Sequence, residues 1–312
     1  MTIMAESPEG GDNIKLSKAQ IAEYHEQGVV VTEGILTNDD LQPVIDAISE
    51  FIDRRARALE AEGKIRNLHE HEPFDRRYAL LFEQCNELAN GLDIYEARIP
   101  AVFEFLGNDN LLDAVECLVG PEITCSPIQH LRAKPPSCLT GGADAYSLPN
   151  VPWHQDAGVT LEEADDSDII TCWIPLTDAL KEHGCMQVMP GAHRAGLLEH
   201  IRDGDTMIRP DLRPDIEPRY AQVHKGGAIF MSKYTPHRSS PNTTECTMRW
   251  SFDLRYQKTG TPTGRPFHPC FVAHSVDHPE SVLTDYEQWS QQWIDALEAE
   301  NRNPTEKHRV KG

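Results

Sequence analysis

Apolar residues recur at intervals of three and four along the first third of the chain. They alternate, or cluster in short runs, along most of the remainder. Leu41, Val44, Ile45, Ile48, Phe51 and Ile52 form one stripe, the pattern of a helix with one buried face. It predicts a helix over 39–62, capped by Asn38 or Asp39, and a shorter one over 17–27 capped by Ser17. Two more short helices are expected over 100–105 and 110–118, ending at Gly120-Pro121. Beyond Pro121 the texture changes to β-branched and aromatic runs at 123–134, 151–154, 168–175, 184–189, 228–232 and 248–256. Their spacing between Gly, Pro, Asn and Asp breaks predicts a sandwich or barrel. Residues 67–85, 135–150 and 199–220 read as long connections that shape the mouth of a site. A last helix is expected after Asp285 on Tyr286, Trp289, Trp293 and Leu297.

The expected organisation is one domain over 14–300 whose first part, to about 120, is helical. A flexible start over 1–13 and a flexible tail over 301–312 flank it. The chain has 312 residues, 39% hydrophobic, enough for a sizeable core, and a net charge of −21. That charge repels polyanions and argues against nucleic acid or anionic membrane as partners. No apolar run approaches the roughly 18–20 residues of a membrane span. The start lacks a signal-peptide layout, so a cytoplasmic protein acting on a small molecule is expected. The eight cysteines contain no CxxC, and reduced, packing thiols are expected. Phosphate-loop, dinucleotide and serine-hydrolase motifs are missing.

Three clusters carry candidate chemistry. In Trp153-His154-Gln155-Asp156, an extended backbone would point His154 and Asp156 to one side, where they could share a metal ion. A plain His–Asp hydrogen bond at a strand end fits the same residues. His237, in Pro236-His237-Arg238-Ser239, follows the apolar run 228–232. With the first pair it would complete two imidazoles and a carboxylate, the facial set of non-haem Fe(II) oxygenases. In Arg249–Tyr256 the alternation is strict. Trp250, Phe252, Leu254 and Tyr256 share one face; Arg249, Ser251, Asp253 and Arg255 share the other. The polar face either meets water or lines a lumen, where Arg249 offers a bidentate fork to a carboxylate. The interval from His237 to Arg249 suits neighbouring strands across one turn.

In this order, His154-x-Asp156, His237 and Arg249 resemble the phytanoyl-CoA dioxygenase family of Fe(II)/2-oxoglutarate oxygenases. The landmarks are His130-Leu131-Arg132-Ala133-Lys134-Pro135-Pro136 before the first ligand and Gly184-Cys185-Met186-Gln187-Val188-Met189-Pro190-Gly191-Ala192-His193 after it. Ala192 departs from the family's Ser/Thr, which bears only on a local turn contact. The resemblance implies a mainly β fold with flanking helices around a double-stranded β-helix, the jelly-roll or cupin-like core. It implies Fe(II) on His154, Asp156 and His237, with 2-oxoglutarate and O2 as cosubstrates. The far carboxylate of 2-oxoglutarate would pair with Arg249, with Ser239 as hydroxyl partner. Trp173 would lie near the cosubstrate, although a core position on its strand suits it equally. Gln129 or His130 would also touch the cosubstrate. The implied reaction oxidises a C–H bond of a small organic molecule and releases succinate and CO2. Related halogenases replace the carboxylate ligand by Ala or Gly, so Asp156 favours hydroxylation. A non-catalytic metal-binding or sensor protein on the same fold is the alternative.

Overall fold

The computed structural model describes residues 15–140 and 151–310. The expected flexible start and the second half of the 135–150 connection lie outside the described residues. In chain order the elements are α1 (Lys18–Gln27), β1 (Val29–Thr32), α2 (Asn38–Ala61), α3 (Phe74–Gln84), α4 (Ile94–Ala97), α5 (Pro100–Leu106) and α6 (Asp109–Val119). The β-rich part follows with β2 (Ile123–Cys125), β3 (His130–Lys134), β4 (Ile169–Pro175), β5 (Met186–Val188), β6 (His200–Asp203) and β7 (Asp205–Ile208). It continues through β8 (Arg219–Ala221), β9 (Ala228–Ser232), β10 (His237–Ser239), β11 (Arg249–Lys258) and β12 (Phe271–His274) to α7 (Tyr286–Arg302).

The strands form a double-stranded β-helix. Its larger sheet runs β1-β9-β4-β11-β2-β12, with β3 also paired to β11; its smaller one runs β10-β5-β8. The lumen between them holds the site. β11 is the organising strand. Trp250, Phe252, Leu254 and Tyr256 are wholly buried against the helical layer, each worth about 1.5–3 kcal/mol of transfer energy. Phe74 stacks on Trp250 at 4.9 Å, Tyr78 meets the same ring edge-on, and Tyr256 donates its hydroxyl to Leu106 O at 2.9 Å. With one face clamped, the alternating residues Arg249, Ser251, Asp253 and Arg255 must face the lumen.

Several expectations change here. Thr37, not Asn38 or Asp39, caps α2, through a reciprocal box with Asp40. Residues 67–85 do not shape the mouth, because α3 packs on the far side of β11. The 199–220 connection contains the β6–β7 hairpin: Gly204, at φ 72°, turns the chain, and Thr206 and Ile208 alternate inward. β10 and β11 are not neighbours. They lie in different sheets, so His237 and Arg249 reach the cavity from separate sheets. Among the last described residues, Lys307 Nζ reaches Glu300 at 2.5 Å, and Arg309 pairs with Asp165.

Candidate metal and cosubstrate centre

His154 is not in a long strand. It forms a single antiparallel bridge with His237, their N–H and C=O groups exchanging two bonds of 3.0 Å. The bridge sets the imidazoles side by side, 4.2 Å between centroids. Asp156 then opens a short 3-10 turn. The residue between is a lock: Gln155, fully buried, donates to Gly196 O and Tyr234 O and accepts from Leu198 N. Its own N–H donates to His200 Nε2. That ring lies against Gly158, where a Cβ would come within 2.5 Å of it.

The ligand atoms of His154, Asp156 and His237 lie within 4.8 Å of one another, the one such group among the described residues. Their chemistry fits a divalent cation. Nδ1 of His154 lies 2.9 Å from Pro152 O, and Nδ1 of His237 lies 2.9 Å from Thr235 O. A carbonyl only accepts, so both Nδ1 atoms carry the proton and both Nε2 lone pairs remain for a metal. Burial, with His237 beside it, pushes His154 down to about 4, which keeps it neutral. Burial alone would raise Asp156, but Arg255 and the two imidazoles hold it well below the usual carboxylate range. Arg255 Nη2 contacts Asp156 Oδ1 at 2.5 Å, and Thr171 Oγ1 donates to Oδ2.

These groups wall a cavity of about 770 Å³. On β11, Arg249 pairs in register with Lys134, Ser251 with Arg132 and Asp253 with His130. The even residues of β3 therefore share the lumen with the odd residues of β11. The Arg249 guanidinium sits 4.9 Å over the Trp173 ring, bonds Ser251 Oγ at 2.9 Å and leaves its buried Nε without a partner. Burial pushes it down to about 10. Ser239 accepts from Lys134 Nζ at 3.0 Å and from Val151 N at 2.9 Å. Burial and Arg249 lower Lys134 to about 6. A buried fork with an idle donor, an aromatic plate and a hydroxyl make a suitable seat for a small dicarboxylate.

Of the expected cosubstrate contacts, Trp173, Ser239, His130 and Arg249 line the cavity. His130 also bonds Asp93 at 2.8 Å. Gln129 does not line it. Its amide donates to Ser126 O and Arg255 O and accepts from Arg255 N, tying the β2–β3 junction to β11. Sequence reasoning missed Lys134, Thr171 and the role of Arg255. The signal for Arg255 was present, since it shares the polar face of β11 with Arg249.

The profile of the phytanoyl-CoA dioxygenase (PhyH) family matches residues 24–250. The chain is similar to phytanoyl-CoA dioxygenase domain-containing protein 1 of Danio rerio, 23% identical over 267 residues, 74% of this chain and 87% of the fish protein. It resembles a methylphosphonate hydroxylase of Gimesia maris at 34% identity over 76 residues, covering 24% of this chain and 28% of that one. Among solved structures it is similar to the non-heme monooxygenase ThoJ, with a TM-score of 0.55 and 18% identity over 91% of this chain and 96% of that one. It is also similar to the α-ketoglutarate-dependent epimerase SnoN, with a TM-score of 0.52 and 20% identity over 80% and 85% of the two chains. No described helix is long and apolar enough to cross a membrane.

Proposed function

Because the chain belongs to the phytanoyl-CoA dioxygenase family of Fe(II)- and 2-oxoglutarate-dependent oxygenases, we propose that it hydroxylates a C–H bond of a small organic molecule. The observation that carries this reading is the meeting of His154, Asp156 and His237 on the wall of the cavity that also holds Arg249. These three would hold the iron, leaving open positions for cosubstrate and oxygen. When bound, iron and 2-oxoglutarate supply the oxidising power that converts C–H to C–OH, with release of succinate and CO2.

The chain's own residues perform the remaining tasks. Backbone carbonyls of Pro152 and Thr235 fix the imidazole tautomers, and Gln155 fixes the turn between the first two ligands. Arg255 and Thr171 orient the carboxylate. Arg249 pairs with the far carboxylate of 2-oxoglutarate, supported by Trp173 beneath the guanidinium and by Ser239 and Lys134 beside it. Asp156 supplies the third ligand, leaving no halide position, which supports hydroxylation over halogenation. The name of the Gimesia maris relative supports hydroxylation of a small molecule.

The test is uncoupled turnover. Purified protein given Fe(II), 2-oxoglutarate and air should form succinate slowly without added substrate. Substitution of His237 by Ala should stop it. Wild-type protein that binds iron yet forms no succinate would favour a non-catalytic metal protein.

A further inference from the structure

We propose that the substrate is a small organic anion whose carboxylate or phosphate-like head group is anchored on Arg265 and Arg132. This deepens the hydroxylase reading by naming a substrate class, and it rests on that reading for the word substrate; the anion site stands on its own geometry.

The chain is strongly acidic, with a net charge of −21. The cavity lining does not share that excess: besides Lys134, which burial holds down at about 6, five Arg and Lys face four Asp. Most of these cations have an assigned counterpart. Arg255 holds Asp156 and Asp253, Lys307 holds Glu300, Lys134 bonds Ser239, and Arg249 takes the cosubstrate in the reading above. Two of the acids, Asp156 and Asp253, are already taken by Arg255, and the other two, Asp203 and Asp205, are exposed on the β6–β7 hairpin. Arg132 and Arg265 are left.

Arg265 is only 7% exposed, and no carboxylate pairs with it among the described residues. Its one bond runs from Nη2 to Val159 O at 2.8 Å, and its buried Nε has no partner. Burial, with Arg255 nearby, lowers it to about 10, the direction expected of a cation short of counter-charge. Arg132, half-buried on β3, has neither ion pair nor hydrogen bond among the described residues. Arg132, Arg265 and Tyr95 line the same cavity. The Tyr95 ring lies 6.3 Å from that of His130, which shares Arg132's face of β3, and stacks at 5.1 Å on Trp293, whose ring lies 5.2 Å from His268, three residues after Arg265.

Keeping a guanidinium buried and unpaired is costly. An anionic ligand would remove that cost in the bound state and would hold its donors bidentately. Arg265 bonds the carbonyl of Val159, the last residue of the turn that Asp156 opens. A head group there is fixed close to the metal ligands. Arg249, whose guanidinium sits over the Trp173 ring, is taken by the cosubstrate in the reading above, so a second anion is left to Arg265 and Arg132.

The test is calorimetric titration of inorganic phosphate, butyrate and uncharged butyramide into protein loaded with Ni(II) and 2-oxoglutarate, which fills the Arg249 seat. We expect saturable one-to-one binding of phosphate or butyrate and none of butyramide. Whichever anion binds more tightly names the head group. Affinity should fall at least about tenfold in Arg265→Gln and in Arg132→Gln, and Arg265→Lys should retain part of it. Arg132 is half-buried, so Arg132→Gln decides the matter if Arg265→Gln fails to fold. No saturable anion binding, equal binding of butyramide, or unchanged affinity in the variants overturns the proposal. If wild-type protein takes up neither Ni(II) nor 2-oxoglutarate, the oxygenase reading fails. The same titration on metal-free protein then still decides whether Arg265 and Arg132 form an anion site.

Discussion

Arg255 Nη2 lies 2.5 Å from Asp156 Oδ1, and both side chains are almost wholly buried. A metal ligand that is also half of a buried ion pair links cation binding to stability. Removing one partner of such a pair costs about 3–5 kcal/mol. Arg255→Gln should therefore destabilise the metal-free protein by about that much. A bound divalent ion supplies the missing counter-charge to Asp156, so Mn(II) should raise the melting temperature more in the variant than in the wild type. Thermal denaturation with and without Mn(II) measures the difference.

The ligand substitutions separate by the same logic. His237→Ala removes one imidazole ligand but neither partner of the Asp156–Arg255 pair, and should abolish iron binding while the fold persists. Asp156→Ala should abolish iron binding and also lower stability, because it strands Arg255 without its main partner. Iron content by atomic absorption, set beside circular dichroism melts, distinguishes the two.

Arg249→Ala should raise the KM for 2-oxoglutarate by at least about tenfold and leave the iron requirement nearly unchanged. The loss reflects one charge-assisted fork to a carboxylate. Succinate formation measured against 2-oxoglutarate and against Fe(II) checks it. Equal losses in both would make Arg249 a structural residue.

Lys134 gives a pH signature. Burial, with Arg249 beside it, holds it at about 6 in the folded protein, against 10.5 for a free lysine. Between those values the unfolded chain binds the proton and the folded chain does not, so stability rises with pH. The cleanest window runs from about 6.5 to 8.5, above ordinary histidine titration and below that of ordinary cysteine. Urea unfolding across it should show a rising free energy in the wild type and a flatter one in Lys134→Met.

The tail offers a second titration. His308 Nδ1 lies 3.1 Å from Thr206 Oγ1, and burial with Arg265 nearby pushes the imidazole down to about 4. Its contribution is complete above the unfolded value near 6.5 and is lost as pH falls toward 4. Hydrogen exchange of residues 303–310 should quicken over that range, and His308→Asn should lose the pH dependence.

Much of this was legible in the chain. The strict alternation of β11 announced both its core face and its lumen face, because one residue's slip would expose Trp250 and bury Arg249 the wrong way. The stripe of α2 and the boundaries of β9 were equally plain. The His154 and Asp156 pair was readable as chemistry but not as geometry: the backbone turns at Asp156, and the pairing with His237 depends on a bridge between distant residues. Helix α3 escaped notice because Phe74 and Tyr78 lie among charges, and only Trp250, far along the chain, gives them something to bury against. The β6–β7 hairpin hid among prolines and charges for a similar reason. Gln129 looked like a cosubstrate contact from its place beside β3, but the parity of the strand turns it away from the lumen.

The central claim is that two imidazoles and a carboxylate hold Fe(II) beside a seat for 2-oxoglutarate. Anaerobic titration of the Fe(II)-loaded protein with 2-oxoglutarate, followed by visible absorption, tests it most directly. A weak charge-transfer band should grow and saturate at one 2-oxoglutarate per chain, should need higher concentrations in Arg249→Ala, and should vanish in His237→Ala. A wild-type protein that binds iron without developing the band, or a band that survives the loss of His237, would contradict it.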